Sequence, residues 1–212
     1  MIPAFKVYLF DVDGTLVDSA IDIVGAIQGV LASTPKHDVP FDYIKRYIGR
    51  HLIDLFQDLF PVYTTEQIDA LVAEYRRIYP LRNHASTRAY PGVAEALAKL
   101  GGRKSTATTK GTPTTRIVLE KFGLLQFFDH VQGTDGFPAK PNPDVIFKAL
   151  EGLGAEPTDC LLVGDAPADI EAARRAGIKS CAVTYGYGLR SELAEWQPDY
   201  WANSLSELLA KH

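Results

Sequence analysis

Short β-like runs alternate with helical patterns along most of this chain, and that alternation admits few folds. Residues 6–10 (KVYLF) read as a strand that stops at Asp11. Residues 103–108, 129–132, 160–163 and 180–184 read as four more, with 200–202 a candidate sixth. Between them apolar residues recur at helical spacing: Val93, Leu97 and Leu100; Ile117 through Phe122; Ile146, Leu150 and Leu153; Ile170, Ala173 and Ala176. Pro113, Pro143 and Pro167 stand near first turns, where a missing N–H costs nothing, and Thr112 and Asn142 are placed to cap the first two helices. Strands alternating with helices build βαβ units. The expected fold is α/β: a Rossmann-like, doubly wound parallel sheet in the order 3-2-1-4-5, covered on both faces.

One stretch breaks the alternation. Residues 16–85 show helix after helix and no convincing strand. Leu52, Leu55, Phe56, Leu59 and Phe60 form one apolar stripe, and Ile68, Leu71, Val72, Tyr75, Ile78 and Tyr79 another. Pro40, Pro61 and Pro80 separate the pieces, and Tyr90-Pro91-Gly92 is a turn back into the α/β part. The chain therefore reads as an α/β core from residues 1–15 and 86–212, with residues 16–85 a helical insertion.

Composition narrows the function. With 22 Lys+Arg against 26 Asp+Glu the net charge is −4, which argues against nucleic acid as a partner because such readers carry a basic face. The two cysteines, Cys160 and Cys181, each lie in an apolar run and fit no zinc spacing, so both are expected reduced and buried. No uncharged apolar run approaches the ~18 residues of a membrane span. Lys6 and Asp11 interrupt the chain before a signal-peptide core could form. A cytoplasmic protein without a membrane partner is expected; oligomeric state leaves no mark.

The most informative residues follow the first strand: Asp11-Val12-Asp13-Gly14-Thr15. Open parallel sheets bind ligands outside the carboxyl ends of their strands, so a strand that delivers two carboxylates there is placing acid in a site. The fourth strand does the same with Gly164-Asp165, and Asp169 lies on the first turn of the next helix. With strands one and four adjacent, Asp11, Asp13, Asp165 and Asp169 converge. Two carboxylates about 4 Å apart repel by roughly 4 kcal/mol at an effective dielectric near 20, so such a cluster calls for a cation. Oxygen-only ligands suit Mg²⁺, which often binds one or two carboxylates together with a substrate phosphate. Lys140, after the third strand segment, is a candidate second positive charge for that phosphate. Alone, an Asp-x-Asp at a strand end or a Lys-Pro in a loop is usually structural; recurrence after successive strand ends is what points to a site.

These residues resemble the haloacid dehalogenase superfamily, in its Mg²⁺-dependent phosphatase branch and closest to its phosphoglycolate-phosphatase-like subgroup. Asp11-Val12-Asp13-Gly14-Thr15 matches the family's first motif, Thr108 in Ala107-Thr108-Thr109-Lys110 the second, Lys140 the third, and Gly164-Asp165 with Asp169 the fourth. The helical insertion is similar to the family's type-one cap. One departure stands out: the strand leading to Thr108 is polar (Arg103-Lys104-Ser105-Thr106), where the family is ordinarily apolar.

The resemblance implies phosphoryl transfer in two steps. Asp11 would attack phosphorus, and Asp13 would protonate the leaving oxygen and then activate water. Mg²⁺ would be held by Asp11, the main-chain carbonyl of Asp13, Asp165 and Asp169, the last directly or through water. Thr108, Thr109 and Lys140 would neutralise the transferring group. The partner would be a small phosphorylated metabolite. In the helical insertion Lys45, Arg46, Arg50 and His51 surround a Gly-permitted bend, and Arg50 is the candidate substrate contact. A phosphomutase, in which the phosphate returns to a sugar hydroxyl, or a non-catalytic binding domain are the alternatives.

Overall fold

The computed structural model describes residues 2–209. Five parallel strands form the main sheet: β1 (Val7–Phe10), β4 (Arg103–Thr106), β5 (Cys160–Gly164), β6 (Lys179–Val183) and β7 (Tyr200–Ala202), in the order β4-β1-β5-β6-β7. A second, antiparallel pair joins β2 (Val17–Asp18) to β3 (Arg88–Ala89). The helices are α1 (Ala20–Leu31), α2 (Phe41–Lys45), α3 (Leu52–Leu59), α4 (Thr65–Ile78), α5 (Val93–Lys99), α6 (Thr112–Lys121), α7 (Asp144–Leu153), α8 (Pro167–Ala176) and α9 (Arg190–Glu195). Of the described helices none is long and apolar enough to cross a membrane.

The expected central order, strands 2-1-4-5, is present, and the sixth segment joins it as β7. The third segment is not a strand. It touches the sheet through a single bridge, Ser105 to His130, because side chains replace the ladder on either side of it. Lys104 N donates to the Asp129 carboxylate at 2.8 Å. The Thr106 hydroxyl accepts from Gln132 N and donates to Gln132 O, both at 2.8 Å. This is the physical reason for the polar β4: its outer edge is satisfied by hydroxyls and a carboxylate rather than by a full strand.

β1 shows why the sheet is doubly wound. Its four residues are all buried, and alternation sends Val7 and Leu9 to one face and Tyr8 and Phe10 to the other. The first face packs against α7 and α8 (Val145, Ile146, Ala149, Leu150, Ala172, Ala173), the second against α5 and α6 (Val93, Ala96, Leu97, Val118, Leu119). Thr112 does not cap α6: its hydroxyl accepts from Gly133 N at 2.8 Å, while the distant Asp135 carboxylate takes Thr112 N at 3.0 Å. Asn142 Oδ1 accepts from Asp144 N at 3.1 Å at the start of α7. Trp196 and Trp201 pack against Ile170, Ala182 and Leu193, with Arg174 and Arg190 lying over their rings.

The chain divides into two compact units, one formed up to Asp18 and from Arg88 onward, the other Ser19–Thr87. Both divisions fall a few residues later than the joints read from the sequence, because Val17–Asp18 and Arg88–Ala89 pair with each other as β2 and β3. The helical unit has its own core of Val24, Ile27, Leu31, Ile44, Leu55, Phe56, Ile68 and Val72. Thr64 and Gln67 close a capping box at the start of α4. Within this unit the buried Asp22 takes Ser86 N at 2.9 Å and Thr87 Oγ1 at 2.7 Å, with Arg82 Nε 3.4 Å from its other oxygen.

Cys160 and Cys181 are free and buried, and they belong to the cores on opposite faces of the sheet. Burial pushes both thiols up to about 12. At about pH 8 only about one molecule in ten thousand would then carry either thiolate, the reactive form. Ellman's reagent is therefore expected to find no rapidly reacting thiol in the folded protein and two after denaturation. Fast labelling of the native state would show that a sheet face opens.

Candidate active site

Sheet register brings the acidic residues together. Phe10 lies opposite Thr106 on one side and Val163 on the other. Two backbone bonds carry the register onward: Asp11 N donates to Val163 O at 2.9 Å and Ala107 N to Phe10 O at 2.8 Å. The chain therefore presents Asp11, Thr108 and Asp165 just beyond the last paired residues of three adjacent strands.

Asp11 continues the face of Val7 and Leu9, the side covered by α7 and α8. There the Lys140 ammonium donates to Asp11 Oδ1 at 2.9 Å and also to Asp169 Oδ1. The other Asp169 oxygen accepts from Ala166 N at 2.9 Å, closing the first turn of α8. Asp165 approaches from the opposite face. It accepts the Thr15 hydroxyl at 2.9 Å and Tyr187 N at 2.8 Å, so both of these partners are neutral. Two glycines make room for its carboxylate: a Cβ on Gly14, whose φ is +92°, or on Gly186 would overlap it.

Asp13 is paired with Lys110, whose Nζ lies 3.1 Å from Asp13 Oδ2. Thr108 is buried; its hydroxyl accepts from Lys110 N at 3.4 Å and its carbonyl from Thr134 Oγ1 at 2.9 Å. Thr109 is half-buried in the same loop. Arg50 belongs to the helical unit, exposed, with its guanidinium 5.4 Å from the centre of the Tyr47 ring. Arg46 lies over Tyr43 in the same manner, and His51 Nδ1 accepts from Ile53 N at 3.3 Å, capping α3.

The structure thus brings Asp11, Asp13, Asp165, Asp169 and Lys140 to the strand ends, with Thr108 and Thr109 in the neighbouring loop. Sequence reasoning passed over Lys110, Thr15 and Tyr187. Lys110 and Thr15 lie inside the quoted motifs, so adjacency was a signal. For Tyr187 the only one was its position between Gly186 and Gly188.

Asp11, Asp165 and Asp169 each offer a carboxylate oxygen within 4.8 Å of the others, and all three residues are 1% exposed. Burial pushes Asp11 up to about 6, helped by Asp169 and Asp13 and opposed by Lys140. Asp165 is held well above the usual carboxylate range, by burial first and then by Asp11 and Asp169. Burial alone would depress Lys140, but the Asp11 and Asp169 carboxylates outweigh it and hold the ammonium above its ordinary value. Four carboxylates face two ammonium groups, an excess of two negative charges when all are ionised. A hard divalent cation with oxygen ligands would cancel that excess, so the donor set fits Mg²⁺.

Comparison with known proteins agrees with this chemistry. The phosphoglycolate phosphatase of Nitrosospira multiformis is 35% identical over 211 residues, covering 95% of this chain and 93% of the relative. Pyrophosphatase PpaX of Halalkalibacterium halodurans is 32% identical over 215 residues, with 95% and 94% covered. A haloacid dehalogenase-like family hydrolase from Streptococcus pneumoniae has the same fold, with a TM-score of 0.87 at 29% identity and 97% of both chains covered. Residues 8–183, from β1 to the end of β6, match the sequence model of one family. On the motifs, the fold and this match, the chain belongs to the haloacid dehalogenase-like hydrolases.

Proposed function

We propose that this protein is a Mg²⁺-dependent phosphatase that hydrolyses a small phosphomonoester through an aspartyl phosphate. The observation that carries this is the buried triad Asp11, Asp165 and Asp169 beside Lys140 at the ends of adjacent strands. Relatives named phosphoglycolate phosphatase and pyrophosphatase support phosphoryl chemistry. Two free buried thiols support a reducing, cytoplasmic setting.

Asp11 attacks phosphorus in line and the bond to the ester oxygen breaks. Asp13 gives its proton to that departing oxygen. The Asp13 carboxylate then takes a proton from the water that attacks phosphorus, the bond to Asp11 breaks, and phosphate leaves. Thr108, the Thr109 amide and Lys140 bind the phosphoryl oxygens, Lys140 from a position already fixed by Asp11. Asp11, Asp165, Asp169 and the Asp13 carbonyl would hold Mg²⁺, which when bound supplies positive charge opposite the phosphoryl oxygens. The helical unit serves as a cap over residues 16–85, and Arg50 there contacts the remainder of the substrate. A phosphatase releases inorganic phosphate; formation of an isomer from a sugar phosphate would indicate a mutase instead.

Hydrolysis of p-nitrophenyl phosphate should require Mg²⁺ and stop with chelator. Asp11→Asn should lower kcat by about 10⁴-fold or more and abolish phosphate trapping on the chain. Asp13→Asn should lose about 10²–10⁴-fold on alkyl phosphates, yet still accumulate phosphoenzyme from p-nitrophenyl phosphate, whose leaving group needs no proton. Full activity in Asp11→Asn would end the assignment.

The charge excess has its own readout, melting temperature. Saturation to about 100 times Kd adds about 2.7 kcal/mol, roughly 5–10 °C for a chain of this size. Mg²⁺ should raise the wild-type melting temperature by that order. Asp165→Asn should melt no lower than metal-free wild type, because a repelled buried charge is gone, and should lose the Mg²⁺ response. An undiminished response would place the ion elsewhere.

Substrate choice is checked with a panel of phosphorylated metabolites. Arg50→Ala should lower kcat/KM for a small carboxylated phosphate by about tenfold or more while leaving p-nitrophenyl phosphate within about threefold. Equal loss on both would remove Arg50 from substrate binding.

A further inference from the structure

The three buried carboxylates are not held alike. Asp11 and Asp169 share the Lys140 ammonium. Asp165 takes its donors from two loops instead: Thr15 Oγ1 on Oδ1 at 2.9 Å and Tyr187 N on Oδ2 at 2.8 Å. The same two loops are tied together again behind the carboxylate. Tyr185 Oη donates to Thr15 O at 2.9 Å, and Tyr187 Oη donates to Asp18 Oδ1 at 2.9 Å. Four hydrogen bonds thus frame one side chain, two on its oxygens and two outside them. The frame has no slack. A Cβ on Gly14 or Gly186 would overlap the Asp165 carboxylate, and one on Gly188 would overlap the Asp165 carbonyl. Asp169 is fixed as firmly: Ala166 N and Lys140 each hold one of its oxygens, and a Cβ on Gly164 would overlap it.

We propose that the hydroxyls of Tyr185 and Tyr187 are positioning groups that make this site select Mg²⁺ over larger divalent cations such as Ca²⁺. The inference rests on Asp165 as a ligand of the ion, as proposed above. Mg²⁺ takes oxygens at about 2.0–2.1 Å in a rigid octahedron, and Ca²⁺ at about 2.3–2.6 Å in looser geometry. For the larger ion each ligand has to draw back by about 0.3–0.5 Å, so preference depends on how freely the ligands move. Asp165 can draw back only if the loop of Thr15 and the loop of Tyr187 part. The two hydroxyl bonds oppose that parting, the first through Thr15 and the second through the backbone of residue 187. Partners behind a ligand tune its metal in this way. A general loosening of the fold would weaken both ions alike.

The test measures Kd for Mg²⁺ and for Ca²⁺ from the melting-temperature response of the substrate-free protein. Wild type is expected to bind Mg²⁺ the more tightly. The double variant Y185F/Y187F, which keeps both rings, should lower the ratio of the Ca²⁺ Kd to the Mg²⁺ Kd by about tenfold or more. Mg²⁺ should weaken while Ca²⁺ stays the same or tightens. Tyr185→Phe and Tyr187→Phe should each give part of that change, and they carry the test if the double variant does not fold. Tyr8→Phe is the control. Its hydroxyl lies in the same core, accepts Phe5 N at 2.9 Å, and should leave the ratio as in wild type. An unchanged ratio in the folded variants, or equal weakening of both ions, would overturn the proposal. So would the same shift in Tyr8→Phe, or a wild type that prefers Ca²⁺. Wild type that binds Mg²⁺ with this preference but leaves p-nitrophenyl phosphate intact would overturn the phosphatase assignment alone. Failure to bind Mg²⁺ at all would overturn both.

Discussion

Uncompensated negative charge at the strand ends is the constraint around which the core is arranged. Carboxylates from β1, β5 and α8 stand where water is nearly excluded, and mutual repulsion would drive them apart or neutralise them. The protein answers with fixed donors: the Thr15 hydroxyl, the Tyr187 amide and the Ala166 amide each hold one oxygen, and the Lys140 ammonium holds two, one on Asp11 and one on Asp169. None of these cancels the full excess. Replacing the cluster with apolar side chains would relieve the repulsion, but it would also remove the oxygen ligands and the nucleophile that the proposed phosphatase needs. On the proposed reading, the same residual charge that burdens the metal-free fold would attract a cation, and a site so filled would receive a phosphate that carboxylates alone would repel.

The polar β4 belongs to the same logic. A strand at this edge with apolar side chains would need a complete strand outside it. Instead Thr106 and Asp129 make the outer hydrogen bonds, leaving residues 133–135 free to turn inward against the loop after β4. Thr134 then bonds to both Thr108 and Lys110, and Asp135 fastens the N-terminus of α6. Polarity that is anomalous for a strand thus becomes support for the loop that presents Thr108 and Lys110.

Much of the fold and part of the candidate site were legible in the sequence, for a local reason. A strand ends where its apolar run meets Asp11 or Asp165, and Asp169 follows at helical spacing, so these positions can be read without knowing any contact. Lys140 was readable from its place after a strand segment. What escaped depends on distant partners. Thr15 and Asp165 are far apart in sequence, as are Asp165 and Tyr187, and neither pair leaves a periodic trace. Thr112 looked like a helix cap until Asp135 took its amide. The third strand segment is too short and polar to show its own fate, because the Asp129 carboxylate and the Thr106 hydroxyl take over its pairing from β4. β2 has two residues, too few for alternation to register.

Alternation also explains why the site can exist only at the strand ends. Within β1, side chains are committed to one face or the other, and a residue on the α7–α8 side never meets one on the α5–α6 side across the sheet. Asp11 belongs to the first side with Lys140 and Asp169; Asp165 belongs to the second with Gly14, Thr15 and Tyr187. Their carboxylates can approach one point because the ladder stops just beneath them and no backbone lies between. Gly164 lets this happen from below: it occupies the first side on β5, and a Cβ there would overlap the Asp169 carboxylate. A ligand set drawn from both faces of a sheet therefore requires a small residue at the last rung and acids immediately after it, which is the order Gly164-Asp165 supplies.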